Sequence, residues 1–256
     1  MTTLLAIIGA ILGLAIGSFL NVVAYRVPLG KSVVSPPSAC PRCASEITSR
    51  DNIPVVSWLL LKGKCRNCAE PISPRYAVVE LATGALFAVT PYVVGAVWAI
   101  GAYWWFVGVT VTLVLTDLDH KRIPNRILYP GTAVGAVLLV VAALLDGEPG
   151  RLAPAALGGL GYFTVMLVIA LIARGGFGFG DVKLSLLLGM FLGYLNWQFV
   201  GLGFFLAFFF GGVVSILLLV TKIKGRKDKI PFGPYLVLGT YLAISFGDPF
   251  LAWYLS

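Results

Sequence analysis

Between residues 81 and 116 the chain carries no charged side chain for 36 consecutive positions. A bilayer is crossed by about 20 apolar residues, so a run of that length is enough for two short membrane spans. The rest of the chain decides for the membrane. Of its 256 residues 59% are hydrophobic and only 12% charged, with a mean hydropathy of +0.93, which excludes an ordinary soluble enzyme. Thirty glycines without a collagen-like period then read as close helix contacts in lipid.

Charged positions punctuate the remaining spans. Residues 4–25 form the first, with Gly9, Gly13 and Gly17 on one face. It has no basic leading segment and no small-residue cleavage site, so it reads as a retained span and not a signal peptide. The charge-free run breaks near Thr90-Pro91-Tyr92 and Gly95, residues 127–145 and 153–173 supply two further spans, and 184–220 divides at Asn196-Trp197-Gln198. With 231–256 added, the expected fold is an all-α polytopic membrane protein of about eight transmembrane helices. The organisation follows as a first helix (1–25), a polar insert (26–76) and a membrane domain (77–256).

The basic residues orient this arrangement. Nineteen Lys/Arg against eleven Asp/Glu would suggest nucleic acid in a soluble domain, but here eighteen of the nineteen fall in segments 26–75, 119–126, 174–183 and 222–229, which eight crossings place on one side. Only Arg151 lies opposite. By the positive-inside rule that side is the cytoplasm, and no nucleic-acid partner is expected.

Two carboxylates sit at the cytoplasmic ends of spans. Asp117 closes one apolar run and Asp181 opens another, and ionisable groups at that depth mark function by default. In Gly178-Phe179-Gly180-Asp181 the glycines allow another segment, such as an extended peptide, to approach the carboxylate. Two carboxyls brought within about 3 Å share a proton, one acting as base on a water and the other as acid toward a carbonyl. Asp119 lies about 200° round the helix from Asp117 and reads as a solvated acid beside Lys121 and Arg122. The single histidine, His120, reads as interfacial.

The insert holds all four cysteines, as Cys40-Pro41-Arg42-Cys43 and Cys65-Arg66-Asn67-Cys68. Four thiolates satisfy a closed tetrahedral zinc site, a reducing compartment disfavours disulfides, and about 50 polar residues have too small a core to fold unaided. The expectation is a small cytoplasmic four-cysteine, zinc-ribbon-like insert with structural zinc. Its apolar stretch, residues 53–61, reads as the ribbon's core, as a strand, or as an amphipathic piece lying on the membrane.

These motifs together resemble one family. Gly178-Phe179-Gly180-Asp181 with Lys183 resembles the GxGD motif of intramembrane aspartyl peptidases, and Asp117-Leu118 followed by Ile123-Pro124-Asn125 resembles the first-aspartate motif of bacterial prepilin peptidases. The resemblance continues through Gly17-Ser18-Phe19-Leu20-Asn21-Val22, the paired cysteines, Ile72-Ser73-Pro74-Arg75-Tyr76, Glu80-Leu81, Gly84 and Pro231-Phe232-Gly233-Pro234.

It implies an inner-membrane endopeptidase that removes the basic leader from type IV prepilins or pseudopilins on the cytoplasmic side. Asp117 and Asp181 would be the catalytic pair, with Lys183 or the basic loops tuning them. It further implies N-methylation of the new amino terminus from S-adenosylmethionine, for which Gly63, Lys64 and Glu80 are candidate contacts. No Rossmann-like segment is present, and residues 175–180 do not fit G-x-G-x-x-G. Alternatives are a peptidase without the methyltransferase, or a transporter, which would need acids near the midplane and repeat symmetry; the chain shows no internal repeat.

Overall fold

The computed structural model describes residues 1–95, 97–173, 178–223, 225 and 230–254. The basic residues Arg174, Lys224, Arg226, Lys227 and Lys229, and residues 175–177 of the segment tested for dinucleotide binding, lie outside them. The described residues are helical, with two isolated β-bridges and no extended sheet. In chain order the helices are α1 (Thr2–Arg26), a single short turn α2 (Val56–Leu60), α3 (Arg75–Val94), α4 (Ala99–His120), α5 (Asn125–Leu145), α6 (Leu152–Ile172), α7 (Phe179–Leu195), α8 (Trp197–Val220) and α9 (Gly233–Tyr254). Seven of the eight long helices are long and apolar enough to cross a bilayer. The eighth, α7, has 17 residues, about 25 Å of helix. The chain is a multi-pass membrane protein.

The breaks follow local chemistry. Gly95, at φ +71°, ends α3 in a conformation that a side chain would strain, and Pro91 is accommodated inside that helix. Asn196 caps α8, its side-chain oxygen accepting from the Gln198 N–H at 3.1 Å. Lys121, in the left-handed region, closes α4 by donating to the Asp117 carbonyl at 2.8 Å.

The chain divides into two compact units, residues 1–92 and 93–256. In the first, α1 and α3 touch through the glycine face expected from the sequence. A Cβ on Gly13 would come within 2.8 Å of the Gly84 Cα, and one on Gly17 within 2.9 Å of the Glu80 Cα. Without a hydrophobic drive between helices in lipid, such backbone-to-backbone approach supplies the packing.

The insert is built from two matching cysteine knuckles. In each, the first Cys N–H bonds to a carbonyl five residues on (Cys40 to Ser45, Cys65 to Glu70), and an alanine at positive φ (Ala44, Ala69) returns its N–H to the first Cys. The equivalence runs at an offset of 25 residues, and the cross-contacts are reciprocal: Arg42 donates to Glu70, and Asn67 to Ser45. The chain therefore does contain a short repeat, confined to the insert, invisible as an identity pattern because only Cys and Ala recur. Arg66 grips Asp51 bidentately at 2.5 and 2.8 Å, which holds the Asp51 carboxyl below its usual range. The apolar stretch at 53–61 is not a strand. Val56–Leu60 turns as helix α2, with Ser57 buried and Trp58 donating its indole N–H to the Ile72 carbonyl at 3.1 Å.

In the second unit α7 is the central element. Asp181, Val182, Leu184, Ser185, Leu187, Leu188, Phe191 and Leu192 are all buried, a helix apolar on every side and covered by α5, α6, α8 and α9. Glycines let the neighbours in. A Cβ on Gly158 of α6 would lie 2.6 Å from the Gly189 carbonyl oxygen, and one on Gly239 of α9 would lie 2.6 Å from the Gly203 carbonyl oxygen of α8. Tyr103 of α4 ties the centre down, its hydroxyl donating to the Phe191 carbonyl at 2.6 Å.

Candidate active site

Asp117 lies in the last turn of α4 and Asp181 in the first turn of α7, so both carboxylates stand at helix ends. They are 5% and 7% exposed. Both meet at a third element. A Cβ built on Gly233, the first residue of α9, would come within 2.7 Å of Asp117 Oδ2 and within 3.5 Å of Asp181 Oδ1. Two carboxylate oxygens thus flank one point, and only a residue without a side chain leaves that point open. Asp117 Oδ2 is buried with no hydrogen-bond partner among the described residues. A buried acceptor in that condition is costly unless it carries a proton or receives one from a molecule outside the chain.

The motifs around the pair interlock. A Cβ on Gly180 would meet the Ile123 side chain at 3.0 Å, and Gly178 lies beside the Asp181 carboxylate itself. Gly180 therefore admits the side chain of Ile123, a close approach by another segment that its missing side chain allows. Lys183 donates to Asn125 Oδ1 at 3.2 Å and lies 5.2 Å from the Tyr129 ring centroid and 5.1 Å from that of Phe179, so its charge is directed to the start of α5. Asp119 and His120 are exposed, and Asp119 lies about 200° round α4 from Asp117. The sequence offered Gly233 only inside the motif Pro231-Phe232-Gly233-Pro234, with nothing in its spacing to connect it to either acid.

The four cysteine sulfurs lie within 4.8 Å of one another. Cys40 and Cys68 Sγ are 3.7 Å apart, and Cys43 and Cys65 Sγ 4.0 Å. These separations are far too long for disulfides and match the edge of a tetrahedron with zinc–sulfur bonds of about 2.3 Å, which is about 3.8 Å. The N–H groups of Cys43 and Arg42 pointing at Cys40 lower its thiol to about 6. The Glu70 N–H acts on Cys68 in the same direction, but desolvation and the neighbouring sulfurs outweigh it and push that thiol up to about 12, so the crowded sulfurs do not all ionise without a cation among them. The cluster can hold a metal ion.

The remaining candidates do not form a cradle. Gly63, at φ +65°, is packed on the Trp58 ring, where a Cβ would come within 3.0 Å of it. Lys64 pairs its backbone with Pro71 in the second knuckle. Glu80 is buried on α3 and its carboxylate accepts the Val55 N–H at 2.7 Å.

The chain is similar to known proteins over nearly all of its length. Residues 11–94 match the bacterial Peptidase A24 N-terminal domain and residues 104–216 the type IV leader peptidase family. The chain is 34% identical to a prepilin leader peptidase/N-methyltransferase of Pseudomonas aeruginosa over 96% of its own length and 92% of that protein's. It belongs to the type IV leader peptidase family. A protein of the same description from Bacillus subtilis is 32% identical over 96% of each chain, and one from Myxococcus xanthus is 40% identical over 85% of this chain and 64% of its own. No solved structure matches.

Proposed function

We propose that this chain is an inner-membrane aspartic endopeptidase that removes the basic leader from type IV prepilins or pseudopilins at the cytoplasmic face. The convergence of Asp117 and Asp181 on Gly233 is the observation that carries it. One carboxylate takes a proton from a water as its oxygen attacks the scissile carbonyl, and the other, protonated, gives its proton to the carbonyl oxygen. The resulting gem-diol collapses, and the leaving amine receives a proton from the pair. This chemistry needs no histidine, consistent with His120 lying exposed. The terminal placement of both acids suits a peptide bond at the membrane surface better than ion passage through the bilayer centre. Leader loss from a prepilin incubated with purified protein, abolished by Asp117→Asn or Asp181→Asn, is the test.

The insert is proposed to bind one structural zinc through Cys40, Cys43, Cys65 and Cys68, fastening the two knuckles together. Methylation of the new amino terminus is proposed from the description shared by the relatives. S-adenosylmethionine would supply the methyl group; Gly63 is packed on Trp58 and Glu80 of α3 holds the Val55 N–H, so these two do not fit a contact with it as they stand. No step is assigned through that group.

A further inference from the structure

Helix α2 turns its apolar side chains away from the protein. Leu59 and Leu60 are 60% and 77% exposed, and Ile53 and Val56 are exposed beside them. Nothing else in the described chain covers this face. Exposed aliphatic clusters of this kind ordinarily meet a partner or a membrane.

Its height relative to the bilayer follows from one hydrogen bond. Helix α3 has 20 residues, about 30 Å, which matches the hydrocarbon thickness and puts Arg75 at the boundary. Glu80 lies five residues further on, roughly 7.5 Å into the span at 1.5 Å per residue. Its carboxylate accepts the Val55 N–H at 2.7 Å, so the first turn of α2 is held at the level of the membrane surface. Continuity points the same way. A groove of about 340 Å³ runs along α1 past Ala15, Ser18, Phe19 and Val22 and reaches Pro54, the residue before the clamped Val55.

Charge separates the possible occupants. Segment 26–75 carries eight Lys/Arg and three acids, and the exposed Lys62 and Lys64 directly follow α2. A basic surface repels a basic leader peptide and a second copy of itself, and attracts anionic lipid phosphates. We infer that α2 is an interfacial anchor, with Ile53, Val56, Leu59 and Leu60 immersed at the headgroup–acyl boundary and Lys62 and Lys64 reaching anionic headgroups. This seat in the leaflet does not depend on what Asp117 and Asp181 do.

Photo-crosslinking of the full chain tests it. p-Benzoylphenylalanine is placed singly at Leu59, at Leu60 and, for comparison, at Arg42, whose side chain is 71% exposed in the first knuckle. The proteins are reconstituted in nanodiscs of phosphatidylethanolamine and phosphatidylglycerol, irradiated and weighed by intact mass spectrometry. The expected result is a lipid adduct at position 59 or 60 at least tenfold more abundant than at 42. Equal lipid adducts at all three positions, none at any, or adducts to protein at 59 and 60 would overturn the inference.

Discussion

Gly233 lies against Asp117 so closely that a single added methyl group would stand 2.7 Å from Oδ2. Further along α9, Gly239 packs its backbone on Gly203 and Ala207 of α8. The start of α9 thus abuts both carboxylates of the pair.

Replacing Gly233 by Ala should therefore push the pair apart by a few tenths of an ångström while leaving the helix intact. A misplacement of about 1 Å can cost about 10²-fold in rate, so a smaller but measurable slowing is expected. Single-turnover cleavage of a prepilin, with the thermal midpoint measured in parallel, checks it. An unchanged rate would mean that the carboxylates do not act through this point.

The insert should carry one zinc per chain and lose it when Cys40 or Cys68 becomes Ser. Removing one thiolate from a closed tetrahedral site also removes the stability the metal supplies, so proteolysis of segment 26–75 should accelerate. Elemental analysis of the purified protein decides, and wild-type protein without stoichiometric metal would contradict it.

Glu80→Ala should loosen the clamp at Val55. A buried N–H deprived of its acceptor costs about 1–3 kcal/mol, so amide exchange at Val55 should quicken by about tenfold or more. Glu80→Gln, which keeps an acceptor oxygen, should exchange nearly as slowly as wild type. Equal exchange in all three would mean that the contact bears no load.

Asn196→Ala removes the cap of α8 and should destabilise the second unit by about 1 kcal/mol. A lowered thermal midpoint in detergent is expected, and an unchanged one would show that the α7–α8 corner is held by packing alone.

Much of this was readable in the residues. Charge-free runs fixed the spans, and Gly95 and Asn196 are where the sequence breaks them, since a positive φ and a side-chain cap are local needs that local chemistry announces. The two acids and the four-cysteine cluster were equally legible, because burying a carboxylate or gathering four thiols leaves few other purposes. Gly233 was not, since the partners that forbid it a side chain are 52 and 116 residues away in sequence. The helical form of α2 was hidden as well, because residues 53–61 are apolar apart from Ser57 and carry no periodicity from which to choose. Gly180 read as a place where another segment comes close, and that segment is Ile123, since a glycine records that something comes near and not what.

The most direct measurement is intact-mass analysis of a prepilin incubated with purified protein in detergent, with and without S-adenosylmethionine, using wild type, Asp117→Asn and Asp181→Asn. The account predicts leader loss by wild type alone, with a further methyl when the donor is present, and both variants folded but inert. Full cleavage by either variant would contradict the aspartate pair.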